Sequence, residues 1–157
     1  MNKSISGLWL FSIVIVFMML MIAYVAISIN YSNAYKLKTA LVTKIEQYDG
    51  WNNTAKDEVD HLIYSSGYRQ TGFCKKPEDG SMYIGVLDGH ITKNPSARQS
   101  YCVSREVKRG ENGGEDKYYY TLTVFLGFNL PVLGDIYTFS VSGETGAIYY
   151  PKDNTFN

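Results

Sequence analysis

GLWLFSIVIVFMMLMIAYVAISIN (residues 7–30) is an almost wholly apolar segment, and YSNAYKLKTALVTKIEQYDG (residues 31–50) follows it directly. No charged residue occurs between Lys3 and Lys36, and residues 8–29 are apolar except for two serines and one tyrosine. A hydrocarbon core about 30 Å thick needs about 20 apolar residues in a helix. The sequence therefore predicts a transmembrane helix over residues 8–29, after a short cytoplasmic tail of residues 1–7.

The whole of this segment is predicted to anchor the protein in the membrane. The anchor residues include Leu8, Val16, Leu20 and Ile29. A cleaved signal peptide is the alternative, and its apolar region is usually about 7–15 residues long. This apolar segment is longer, which favours a retained anchor. The triplet at residues 26–28, Ala-Ile-Ser, would still suit a signal peptidase, so cleavage stays open.

Two cysteines, Cys74 and Cys102, bear on which side of the membrane the body occupies. Lysines flank both ends of the apolar segment, and counting them alone would leave the body in the cytoplasm. An isolated cysteine pair in a small exported domain is best explained as a disulfide, whereas two unrelated thiols would fit a cytosolic domain. We therefore expect a Cys74–Cys102 disulfide, a single-pass protein of the cell membrane and an extracytoplasmic body.

The segment after the membrane keeps the helical period. Apolar residues recur at intervals of three or four, with polar residues between them, which predicts an amphipathic helix. The residues expected to pack on the rest of the protein are Leu37, Leu41, Ile45 and Tyr48. No glycine or proline separates the two segments, so residues 30–48 are predicted to continue the transmembrane helix and to end at Asp49-Gly50. Two separate helices are the alternative.

The rest of the chain, residues 49–157, is predicted to be an α+β domain. A second helix is expected to begin with Thr54 as its cap and to end at Gly67, with an apolar face of Val59, Leu62 and Ile63. Period-two alternation predicts strands at residues 82–87, 101–107, 118–128 and 135–142, with a short last strand at 147–150. The connections LPVLG and SGETG are short enough to join antiparallel neighbours. The predicted fold is a long N-terminal helix, a short helix and an antiparallel sheet.

The charge balance and the motifs exclude several classes of function. The chain has 15 basic and 15 acidic residues, so it has no basic surface of the kind that nucleic-acid binders need. His61 and Asp57 lie four residues apart on one helical face and could supply two metal ligands, but acids in a first helical turn are ordinary on a solvated face. No nucleophile motif or phosphate-binding loop is present. We expect no catalytic residues, no metal and no cofactor.

This layout resembles a pilin: a helix that is apolar in its first half and amphipathic in its second, with a small disulfide-linked sheet. The ending YYYTLTVFLGFNLPVLGDIYTFSVSGETGAIYYP is similar to that of TadE-like minor pilins of the tight-adherence (Flp) pilus. The resemblance implies a non-enzymatic component of a pilus or secretion assembly. Its partners would be the membrane and other pilin-like or assembly proteins, reached through the N-terminal helix, and it would act within a homo- or hetero-oligomer.

One difference from that family keeps other functions open. Pilins and TadE-like proteins usually carry a glutamate about five residues into the apolar segment, whereas this chain has Leu10, Phe11 and Ser12 in that neighbourhood. Processing by a prepilin peptidase after Gly7 is therefore an open question. The alternative function is a signal-anchored extracytoplasmic binding or sensor domain unrelated to pili.

Overall fold

The computed structural model describes residues 2–67, 70–77, 81–94, 96–129, 136–153 and 156. Within these ranges, the side chains of residues 2–8, 112, 128–129 and 136–137 are not described. The described part of the chain contains two α-helices, one short 3-10 turn and seven strands. The predicted α+β class, with a long N-terminal helix, is confirmed.

The first helix, α1 (Asn2–Gln47), is continuous across the border between the apolar and the amphipathic segments. It begins earlier than the predicted residue 8 and therefore includes residues of the expected tail. At about 1.5 Å per residue, its 46 residues span about 69 Å. It ends one residue before the predicted Tyr48, where Asp49 (φ 54°) and Gly50 (φ 121°) turn the chain away.

The second helix, α2 (Asn53–Ser66), ends at Gly67 in the left-handed conformation, as predicted. The predicted cap at Thr54 is wrong, because Asn52 occupies that position. Its Oδ1 accepts a hydrogen bond from the Ala55 backbone N–H at 2.9 Å. An asparagine with extended backbone satisfies one of the free amides of a first helical turn, so the helix begins one residue before Thr54.

Five strands form one antiparallel sheet in the order β3-β2-β5-β6-β7, and two short strands, β1 and β4, form a separate pair. The strands are β1 (Gly72–Phe73), β2 (Met82–Leu87), β3 (His90–Thr92), β4 (Arg98–Gln99), β5 (Tyr101–Lys108), β6 (Lys117–Asn129) and β7 (Ile136–Glu144). The predicted bounds of β2 are correct, and those of β5, β6 and β7 are correct to within two residues. The connection LPVLG, residues 130–134, lies outside the described residues.

The predicted last strand at residues 147–150 is wrong. Ile148 makes an isolated bridge with Tyr118, and the two residues exchange backbone hydrogen bonds of 2.9 Å. The chain then leaves the sheet and reaches the turn after α1, where the Lys152 amide donates to the carbonyl of Asp49 at 2.8 Å. SGETG is likewise not a connection between strands, since β7 continues through Glu144.

The core lies on one face of the five-stranded sheet. The second half of α1 packs on β6 and β7, and α2 packs beside it. The fully buried side chains come from both helices, the turn between them and the inward face of the sheet; the largest are Trp51, Tyr101, Tyr120, Leu41, Ile45, Ile84, Leu122 and Leu126.

Candidate interaction helix

The first half of α1 carries the largest apolar surface of the described chain. Its large apolar side chains from Trp9 to Ile29, including Val16 and Leu20, are between 40% and 73% exposed on every side of the helix. A helix that is apolar all round belongs in a core or in a membrane. In the described part of the chain, one helix is long and apolar enough to cross a membrane, and none of its most apolar window is buried. The side chain of Leu8 lies outside the described residues.

Exposed aromatic residues lie at both ends of this surface, and Phe11, Phe17 and Tyr24 are exposed between them. Trp9 is 73% exposed at one end, and Tyr31 is 64% exposed at the other. Their residue numbers differ by 22, which corresponds to about 33 Å along the helix, close to the thickness of a hydrocarbon core. Tryptophan and tyrosine are enriched at both membrane–water interfaces. The spacing of Trp9 and Tyr31 therefore suits the two interfaces of a membrane, which the hydrophobic pattern alone does not indicate.

The second half of α1 is held on the sheet. Leu41 and Ile45 are fully buried in the core, and Leu37 packs against it while half-buried. Tyr48 is half-buried just beyond the end of the helix. The helix lies close to the sheet at Gly143, where a Cβ atom would lie 2.7 Å from a methyl carbon of Val42.

A buried carboxylate, Asp153, fastens the end of α1 to the sheet. Its Oδ2 accepts hydrogen bonds from Tyr120 at 2.6 Å and from the Arg105 guanidinium at 2.7 Å. Its Oδ1 accepts from the Trp51 backbone N–H at 2.9 Å. A Cβ atom on Gly50 would lie 2.8 Å from the same carboxylate. The C-terminal segment therefore closes over the turn that follows α1, a role that neither spacing nor periodicity reveals.

Two buried tyrosines donate hydrogen bonds to carboxylates. Burial, and then the hydrogen bond to Asp153, raises the pKa of Tyr120 above its ordinary value of 10.0. Burial, and then the nearby Asp60 carboxylate, raises the pKa of Tyr101 in the same direction. Asp60 accepts from Tyr101 at 2.7 Å and from Lys56 at 3.0 Å. Both networks join a helix or its flanking turn to the sheet, so their role is structural.

The predicted disulfide is present. Cys74 and Cys102 are bonded across 28 residues, with their Cα atoms 5.7 Å apart. It ties the β1 segment to the outward face of the sheet. The fully buried Gln99 strengthens this tie, because its Oε1 accepts from the Cys74 amide at 3.2 Å and its Nε2 donates to the Asn94 carbonyl at 2.7 Å.

The one candidate metal pair does not converge with other ligands. His61 is exposed, and the Asp57 side chain is 78% exposed. Asp60, the neighbouring acid, is engaged with Tyr101 and Lys56. Among the described residues, no three His, Cys, Asp or Glu side chains lie together in a group that could hold a metal ion.

Comparisons with family models, with curated proteins and with solved structures find no match to this chain. The feature that bears on function is therefore the geometry of α1. The first half of α1 can bind apolar surroundings along about 30 Å of helix. The second half holds the folded body in a defined orientation to it.

Proposed function

We propose that this chain is a non-enzymatic, membrane-anchored component of a pilin-like, TadE-like pilus or secretion assembly. The apolar half of α1 lies in the membrane and packs with the helices of other subunits. The observation that supports this proposal is the division of one unbroken helix: its first half is apolar and exposed, and its second half is packed on the chain's own sheet. The Cys74–Cys102 disulfide supports an extracytoplasmic position for the body, because disulfides persist in oxidising compartments.

A second candidate is a signal-anchored extracytoplasmic binding or sensor domain unrelated to pili. The absence of an acidic residue from the apolar half of α1 favours this second candidate. Glu46 is the first acid in the sequence, so the apolar half of α1 lacks the glutamate that pilins usually place there. Both functions need the anchor, and they differ in whether the apolar half packs against other helices.

The anchor is tested by placing an arginine in the apolar half. Val16→Arg costs about 2.5–3.5 kcal/mol at the centre of a membrane helix. We expect this variant to lose alkali-resistant membrane association in cell fractionation. Thr43→Arg, on an exposed position of the packed half, is the matched control and should fractionate like the parent protein. A Val16→Arg protein that stays fully membrane-bound would contradict the anchor.

Assembly is tested by a cysteine scan of residues 13–20 in native membranes. The two native cysteines are bonded to each other, so a single new thiol reports its own contacts. Because an oxidative cross-link needs a thiol on both helices, packing between two copies of this chain predicts cross-links that recur with a period of about 3.5 residues. If no position cross-links although the protein is anchored, packing between copies of this chain through the apolar half fails.

A further inference from the structure

The five-stranded sheet has one long strand at its edge. In the order β3-β2-β5-β6-β7, the two outermost strands are β3 and β7. The first of these, β3, has only three residues, whereas β7 has nine and carries no charge and no proline before Glu144. Short length, charged side chains and proline are common protections of an edge strand against pairing with another chain. Most of β7 has none of these protections.

The pairing of β7 with β6 determines which of its backbone groups point away from the sheet. The Thr145 amide donates to the Tyr120 carbonyl at 2.9 Å, so the adjacent pair of Thr121 and Glu144 is a non-hydrogen-bonded pair. The two kinds of pair alternate along an antiparallel ladder, and residues of a non-hydrogen-bonded pair turn their N–H and C=O groups away from the partner strand. The same kind of pair recurs at every second residue of β7: Ser142, Ser140 and Thr138.

These outward backbone groups are accessible. Thr138, Ser140 and Ser142 are exposed, and within the described part of the chain no backbone hydrogen bond joins their outward groups to another element. The hydroxyls of Thr123 and Ser142 lie 2.8 Å apart, which agrees with the assignment because side chains are closer in non-hydrogen-bonded pairs. The β7 edge, residues 138–144, therefore offers donors and acceptors in the spacing that another extended strand would match.

One side of α1 stands beside this edge. Val42 lies against Gly143 of β7, whereas Lys44, on the opposite side of the helix, pairs with Glu58 of α2 at 3.2 Å. Tyr35 lies about two turns before Val42 on the same side of α1 and is 55% exposed. Two turns are about 11 Å, or about three residues of a strand, so this tyrosine stands near the middle of the β7 edge.

We propose that the β7 edge binds an extended, uncharged segment of another polypeptide, which pairs antiparallel as a further strand of the sheet. The backbone of the segment bonds to the outward groups of Thr138, Ser140 and Ser142. Its alternate side chains point to the same face as α1 and pack against Tyr35 and Val42, so they are apolar. The edge carries no charge over residues 138–143, so a charged side chain in the segment would find no partner there.

The β7 strand of a second copy is not this partner. Antiparallel pairing of two β7 strands in one continuous sheet would point the two α1 helices in opposite directions, and their apolar halves could not enter one membrane. This exclusion depends on the anchor of the proposed function, whereas the open edge does not.

The probe is a fluorescently labelled synthetic peptide, YTFSVSG (residues 137–143), which has the required uncharged and alternating pattern. Fluorescence anisotropy follows its binding to the full chain in detergent. Addition at the β7 edge uses the peptide amide at Ser140, whereas replacement of β7 on β6 would use the amide at Phe139. We expect N-methylation of the peptide at Ser140 to weaken binding at least about tenfold, and N-methylation at Phe139 to change it less than about twofold.

A matched pair of protein variants tests the other side of the contact. Ser140→Pro removes the outward amide at the middle of the edge without removing a bond to β6. It should abolish peptide binding, whereas Ser140→Thr, which keeps the amide, should bind like the parent protein. The two N-methylated peptides decide the question by themselves if Ser140→Pro does not fold.

Several results would overturn the proposal. Absence of saturable binding, or equal effects of the two N-methyl groups, would mean that the backbone of the edge does not hold the peptide. A reversed order of the two effects would mean that the peptide displaces β7. Disulfide-linked dimers of a Ser140→Cys chain in native membranes would place a second copy at the edge. The titrations are made in detergent, so they do not depend on the anchor, whose failure is detected separately by fractionation.

Discussion

Gly143 leaves no room for a side chain between the sheet and α1. A Cβ atom there would lie 2.7 Å from Val42 and 2.9 Å from the Lys38 side chain. We expect Gly143→Ala to destabilise the folded body by about 1–3 kcal/mol, as overpacking does elsewhere. Gly146→Ala is the matched control, because its Cβ would find an ordinary contact of 3.5 Å with Glu46. Urea denaturation of both variants in detergent measures the difference, and equal stabilities would show that the helix has room to move.

The two buried tyrosines make stability depend on alkaline pH. Because their pKa values are raised in the folded state, the unfolded chain loses protons from Tyr101 and Tyr120 first as the pH passes 10.0. The free energy of unfolding should therefore fall with rising pH above that point, by about 1.4 kcal/mol per pH unit for each tyrosine. Below pH 10.0, the ordinary pKa of tyrosine in the unfolded chain, both hydroxyls stay protonated in the folded and in the unfolded state, so this dependence on pH vanishes.

Denaturation midpoints at about pH 9 and about pH 11 test this dependence. The Tyr120→Phe variant loses one hydroxyl that titrates, so it should show a shallower decline than the parent protein. An unchanged slope in that variant would mean that Tyr120 does not carry the effect.

The two halves of α1 have opposite surroundings, and one pair of substitutions shows the difference in what each half contributes to stability. Leu41 is fully buried, whereas Leu20 is 64% exposed. In detergent, Leu41→Ala should lower the free energy of unfolding by about 2–5 kcal/mol. Leu20→Ala should change it by less than about 0.5 kcal/mol, as surface substitutions usually do. Thermal melts compare the two, and a Leu41→Ala protein as stable as its parent would mean that the helix is not fastened to the sheet.

The elements that follow a strong period could be predicted from the sequence. The apolar run, the stripe of Leu37, Leu41 and Ile45, and the alternation in β2 and β6 all follow from local spacing. The bridge at Ile148 could not be distinguished from a strand, because its short alternating run looks the same whether or not a neighbour continues the pairing.

Contacts between distant residues escaped prediction for a different reason. Asp153 meets Arg105 and Tyr120 only after the chain has folded back, and no local pattern records such a meeting. The cysteine pair was the exception, because two isolated cysteines in a small exported domain usually form a disulfide with each other.

The disulfide closes a 28-residue loop and joins the β1 segment to the sheet. Thiol alkylation of native, non-reduced protein should leave Cys74 and Cys102 unmodified, which a mass measurement detects. In the chain-entropy account, the double serine variant should lose about 3–4 kcal/mol of stability. Two freely alkylated cysteines in folded protein from its own cell would contradict the disulfide and, with it, the support for an extracytoplasmic body.

The unbroken course of α1 has an angular consequence. With 3.6 residues per turn, each residue added to a straight helix rotates everything beyond it by about 100° and lifts it by about 1.5 Å. One extra residue near Ile29 would turn the body's sheet toward a different neighbour, whereas four extra residues would bring it back to within about 40° of its original direction. The number of residues between the apolar half and the packed half therefore sets the rotation of the body about the helix axis, relative to the side of the anchor that contacts another helix.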